Sequence, residues 1–160
     1  MDKAASEVRL EMQRLPAERT DVSLSLLAML YWAEGSKDPR SGLIFVNTDP
    51  ELMLLFITLL RKCFAIDEKR IHIRLHLHYY HRPKEVIEYW SKLLSVPIEQ
   101  FGKLYLKRRS ETKKFRQNFM GICFIQYGDT LIKNKLLFAA KEVKEIVIAN
   151  PSIDRWGERS

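Results

Sequence analysis

Glu34 ends the apolar stretch Leu26-Leu27-Ala28-Met29-Leu30-Tyr31-Trp32-Ala33, and Gly35, Ser36 and Lys37 follow it. Leu26, Leu27, Leu30 and Tyr31 recur at helical spacing, and Ala28 and Ala33 are good helix formers. Gly35 suits the helix end, because glycine takes the left-handed conformation without steric cost. Glu34 breaks the pattern: a carboxylate in the last turn faces the negative end of the helix dipole. Such a residue is either a solvated terminus or is kept there for a site.

The stretch Arg70 to Tyr80 carries the second set of chemically capable residues. Ile71, Ile73, Leu75, Leu77 and Tyr79 alternate with His72, Arg74, His76, His78 and Tyr80, the period of a strand with one apolar face. A second stretch alternates in the same way, with Leu104 and Leu106 on one face and Lys103, Tyr105, Lys107 and Arg109 on the other. If both lie in one sheet with their apolar faces on helices, the polar residues share an open face that contains no acid. Arginine forks match guanine edges and lysines neutralise phosphates, so such a face suits a DNA groove. The alternative is a solvated face of basic bias. His76 and His78 project to the same side, yet a zinc site needs a third ligand, and none has ligand-like spacing. There is no Walker loop, GxGxxG, CxxC or GxSxG. Cys63 and Cys123 sit in apolar runs without an electropositive setting that would activate a thiol.

These residues need elements to hold them. The periodicity predicts a polar helix over residues 3–15, closed by Pro16, then a helix capped by Asp21 or Ser23 and running to about Ala33. A strand over Leu43 to Asn47 follows. Thr48-Asp49-Pro50-Glu51 is a helix start, leading into a helix apolar almost all round and therefore expected to be deeply buried. After the histidine strand, Pro83 opens a helix with Val86, Tyr89, Trp90, Leu93 and Leu94 as its apolar stripe. A basic stretch that includes Lys113 and Lys114 precedes a buried strand near Cys123, and a last helix covers about Asp129 to Ala149. The expected fold class is α+β in one domain, residues 21–149, with an N-terminal extension over 1–20 and a C-terminal tail over 150–160. Its 160 residues, 46% of them hydrophobic, are enough for a real core. No apolar run reaches the roughly 18 residues of a membrane span. The charged N-terminus lacks a signal segment, so a cytoplasmic protein with reduced thiols is expected. The net charge of +7 and pI near 9.5 favour an anionic partner, nucleic acid being the usual one.

Leu27-Ala28-Met29-Leu30-Tyr31-Trp32-Ala33-Glu34-Gly35 resembles the LAGLIDADG motif of homing endonucleases. The order behind it, over about residues 20–148, is also similar: motif helix, strand, Asn-Thr-Asp-Pro helix start, then alternating basic strands and helices. The resemblance implies a mixed helix and antiparallel-sheet domain of the αββαββα type with a basic, DNA-facing sheet. It implies a site-specific double-strand endonuclease that uses Mg²⁺ (or Mn²⁺) and no organic cofactor. With one motif per chain, a homodimer is implied, joined along the motif helix by Ser25, Ala28, Met29 and Ala33. Glu34 would be the metal ligand and catalytic acid, its unfavourable place on the dipole offset by the cation. Lys107, with Lys103 as the other choice, would be the basic residue near the attacking water. Lys37, Arg40, His72, Arg74, His76, His78, Lys103, Tyr105, Arg109, Lys113 and Lys114 would contact DNA. Two departures stand out. Met29 replaces a small residue that lets the helices approach closely, and the short segment from Gly35 to Leu43 truncates the first strand. They support the alternative of a catalytically inactive DNA-binding or regulatory protein of the same fold.

Overall fold

The computed structural model describes residues 3–108 and 117–151. Helix α1 (Lys3–Met12) precedes α2 (Thr20–Glu34), β1 (Leu43–Asn47), α3 (Pro50–Cys63), β2 (Ile71–His78), α4 (Pro83–Leu94), β3 (Tyr105–Lys107), β4 (Ile122–Tyr127) and α5 (Thr130–Ala149). The architecture is α+β, as the sequence predicts. The strands form one sheet in the order β1-β4-β2-β3. β1 and β2 both pair antiparallel with β4, but β2 and β3 run parallel. The sheet is therefore mixed, not antiparallel, and the order departs from αββαββα. The cause is α4, a crossover that returns the chain to β3 in the direction of β2. The truncation expected between Gly35 and Leu43 is present: a single bridge, Gly35 to Phe45, stands in place of a strand there.

One face of the sheet carries the core. Leu43 and Phe45 of β1, Ile71, Ile73, Leu75 and Leu77 of β2, and Cys123, Ile125 and Tyr127 of β4 are buried on it. Helix α3 covers this face, its Phe56 ring stacked on Phe45 at 3.9 Å. Asp49 caps α3 by accepting from the N–H groups of Glu51 and Leu52, with Pro50 in the first turn, as read from the sequence. This helix is not buried all round: Leu54 and Leu55 are exposed on its outer side. Val86, Trp90 and Leu94 anchor α4, and the Trp90 indole donates to Met120 O at 2.8 Å.

Helix α2 packs on both α3 and α5. Its cap differs from expectation. It starts at Thr20 without a side-chain cap, Asp21 pairs with Arg19, and the hydroxyl of the buried Ser23 donates to Ala17 O. Its end also differs. Gly35 has φ −82° and ψ 156°, extended backbone open to any residue, so helix-end conformation does not require glycine there. Space does: a Cβ at Gly35 would fall onto the Tyr31 ring. That ring is fully buried, and its hydroxyl donates to Ser36 O at 2.7 Å and accepts from Ile44 N at 3.4 Å. The end of α2 is thereby tied to β1. Loop 36–42 is held from the other side by Lys133 of α5, a buried ammonium that donates to Asp38 O and Ser41 O.

Candidate nucleic-acid interface

The second face of the sheet has no helix over it among the described residues, and the strand registers determine what it presents. In β2 the core positions alternate with His72, Arg74, His76 and His78, of which His72 and Arg74 are exposed and the other two half-buried. His76 is paired with Tyr105 and His78 with Lys107, so both β3 residues project from the same face as the histidines. The shared open face expected from the two alternating stretches is present for these residues. No aspartate or glutamate occurs in any of the four strands.

Strand β4 completes the face with residues that the sequence reading missed. It was expected to be a buried strand, but Ile122, Phe124 and Gln126 are half-open. Gln126 between Ile125 and Tyr127 was the available signal, a polar residue at the alternate position. Phe124 is the register partner of Arg74, whose guanidinium lies 4.6 Å from the ring centroid. The His76 ring lies between Phe124 at 4.5 Å and Tyr105 at 4.9 Å. Three aromatic rings thus cross three neighbouring strands, flanked by Arg74 and Lys107. Partial burial, and then the Arg74 charge, depress the His76 pKa below the ordinary value, so its imidazole is neutral at pH 7.

Beyond β2 the turn is locked. The backbone N–H of His78 donates to His81 Nδ1 at 2.8 Å, which leaves Nε2 to carry the proton donated to Phe119 O at 2.7 Å. The His78 ring stacks on Tyr80 at an interplanar angle of 1°.

Other expected site residues fall elsewhere. Lys103 is exposed and precedes β3, outside its paired residues, and Leu106 is half-exposed because β3 is a short edge. Lys37 and Arg40 are exposed in the loop at the β1 edge, and the Arg40 guanidinium is engaged by Asp38 at 3.2 Å. Arg109, Lys113 and Lys114 lie outside the described residues, as does most of the tail.

Glu34 is exposed, and no hydrogen bond or ion pair among the described residues engages its carboxylate. It leads into the β1 edge, whereas Lys107 lies on β3 at the other edge. Gly35 and β3 are four interstrand steps of about 4.8 Å apart, roughly 19 Å across the sheet. The expected Glu34–Lys107 pair therefore does not meet within one chain. No group of three or more His, Cys, Asp or Glu that could hold a metal occurs among the described residues. Of the four expected dimer contacts, Ala28 is fully buried inside its own chain and is unavailable to a partner. It is spent on the packing of α2 against its own neighbours. Ser25 and Met29 are half-buried and Ala33 exposed. Ser25 and Met29 line a shallow groove with Val22, Leu26 and Val143. The thiols are unreactive in setting, burial raising the pKa of both Cys63 and Cys123.

Comparison with known proteins gives no match to a family model, a curated protein or a solved structure. Among the described residues, no helix is long and apolar enough to cross a membrane.

Proposed function

We propose that this protein binds double-stranded DNA, with the open face of the sheet as its contact surface. One observation carries the reading: Arg74, the β2 histidines, Tyr105 and Lys107 lie in register on one face that no described helix covers, and no strand of the sheet contributes an acid. Phosphate neutralisation by Lys107 and Arg74 would supply sequence-independent affinity, and the Arg74 fork, held over Phe124, would supply base readout where it meets a guanine edge. The test is fluorescence anisotropy on random duplexes across a salt series. Binding should weaken steeply with salt, and Arg74→Ala should lose about 1–3 kcal/mol if the contact is bidentate. Unchanged affinity in Arg74→Ala would remove β2 from the interface.

A second reading, DNA hydrolysis as a homodimer with Mg²⁺ or Mn²⁺, has one observation in its favour. Glu34 ends α2 as an exposed carboxylate unengaged among the described residues, and the Ser25–Met29 side of that helix borders an open groove. One carboxylate does not make a magnesium site, which takes near-octahedral oxygen ligation. The described residues of a single chain do not fit the metal, so this reading draws on a second chain to bring a second Glu34. Plasmid nicking with and without Mg²⁺ tests it: Glu34→Gln should keep DNA binding and lose cleavage. Metal-dependent cleavage by Glu34→Gln at the wild-type rate would remove that role.

A further inference from the structure

At the β3 edge of the open face, a cleft of about 130 Å³ lies between β2, β3 and β4, lined by His76, Leu77, His78, Tyr105, Lys107 and Ile122. We propose that this cleft is a subsite for one unstacked nucleobase, so that the nucleic acid on the open face is single-stranded where it crosses Tyr105. The inference rests on the reading of that face as the DNA contact and departs from it in one respect, placing an unpaired strand rather than intact duplex at the β3 edge.

The lining chooses the ligand. Ile122 and the Tyr105 ring supply an apolar wall, the Leu77 side chain being buried on the core face, while two imidazoles, the phenol hydroxyl and an ammonium supply the polar rim. A phosphate pressed against the apolar wall would lose hydration without full compensation. A planar heteroaromatic ring gains from the same wall and finds edge partners in the rim. The volume is roughly ten times the ~10–15 Å³ of cavity space that admits one water, so a flat ring has room. Tyr105 is 58% exposed and is braced by His76 at 4.9 Å, which offers a flat, oriented stacking surface at low entropic cost. Lys107 is exposed one strand position beyond Leu106, where a backbone phosphate attached to that base would pass. Duplex DNA shows only base edges in its grooves, because each base is covered by its neighbours above and below. A base that fills this cleft must therefore have left the stack. Stacking on an aromatic side chain tolerates any base, so the subsite favours single strands without strict sequence preference.

The experiment compares labelled single strands of mixed sequence, the same strands with abasic sites, their duplexes, and free dAMP and dTMP as competitors. Wild-type protein should bind the single strand more tightly than the duplex and lose affinity when abasic sites are introduced. Tyr105→Ala should weaken single-strand binding by about tenfold or more, and duplex binding by a clearly smaller factor. Tyr105→Phe should retain wild-type affinity, which separates ring stacking from an edge-strand defect. Lys107→Ala should weaken both forms and lower the salt slope by about one. Duplex preference with no effect of Tyr105→Ala overturns the base subsite and leaves the DNA-binding face intact. Mononucleotides that bind as tightly as the strand overturn the strand as the source of the base. Absence of binding to any form overturns the reading of the face and the subsite with it.

Discussion

Arg74 lies over the ring of Phe124, its directly paired neighbour on the adjacent strand, with the guanidinium carbon 4.6 Å from the ring centroid. The contact holds a flexible cation in one orientation on an open surface, where an arginine otherwise pays rotamer entropy to make a directed contact. Phe124→Leu keeps an apolar side chain of similar reach and removes the π face. DNA affinity should fall by about two- to fivefold although Arg74 is untouched, in keeping with ~0.5–1 kcal/mol for an exposed cation–π contact. Anisotropy titration beside a thermal melt checks it; a loss of Tm with unchanged affinity would assign Phe124 to packing alone.

Gly35→Ala should destabilise the fold by roughly 1–3 kcal/mol, because the added methyl overlaps the Tyr31 ring, which is itself fixed by bonds to Ser36 and Ile44. Tyr31→Phe should cost about 1 kcal/mol through the lost hydroxyl bonds. Urea denaturation measures both. Were Gly35→Ala as stable as wild type, the close approach would not be what requires glycine at that position.

Lys133→Met keeps the length of the side chain but leaves the Asp38 and Ser41 carbonyls without their donor. The cost should be about 2 kcal/mol, the range for hydrogen bonds from a charged group. Limited proteolysis should then cut first in loop 36–42. Resistance of that loop in the variant would show that the ammonium does not restrain it.

The depressed His76 pKa gives a pH dependence with a definite sign. The folded imidazole resists protonation, because of burial first and Arg74 second, while the unfolded one titrates near the ordinary 6.5. The unfolded chain therefore binds more protons once pH falls below that value. This contribution to stability is complete at neutral pH and is lost as pH drops through 6.5 towards the folded value. Denaturation at pH 7.5 and 5.5 should show a smaller acid loss for His76→Gln than for wild type. DNA acts in the opposite direction: bound phosphate favours the imidazolium, so affinity should rise on acidification, and less so in His76→Gln.

Local signals determined a good part of this protein. The alternation from Ile71 to His78 identified β2 and its two faces, since side chains on a strand must alternate. Asp49-Pro50 identified the start of α3, since the capping oxygen and the ring act within one turn. The absence of acids from the strands was also legible, and it is the strongest feature of the candidate interface. Tertiary structure decided the rest. Lys107 joined the β2 histidines because α4 returns the chain parallel to β2, and the same crossover put it at the edge opposite Glu34. Ala28 turned inward because α2 is covered by α3 and α5 of its own chain, and helical periodicity says which residues share a face but not what packs on it. Phe124 reached Arg74 through the β2–β4 register, a pairing of residues 50 positions apart that neither strand encodes alone.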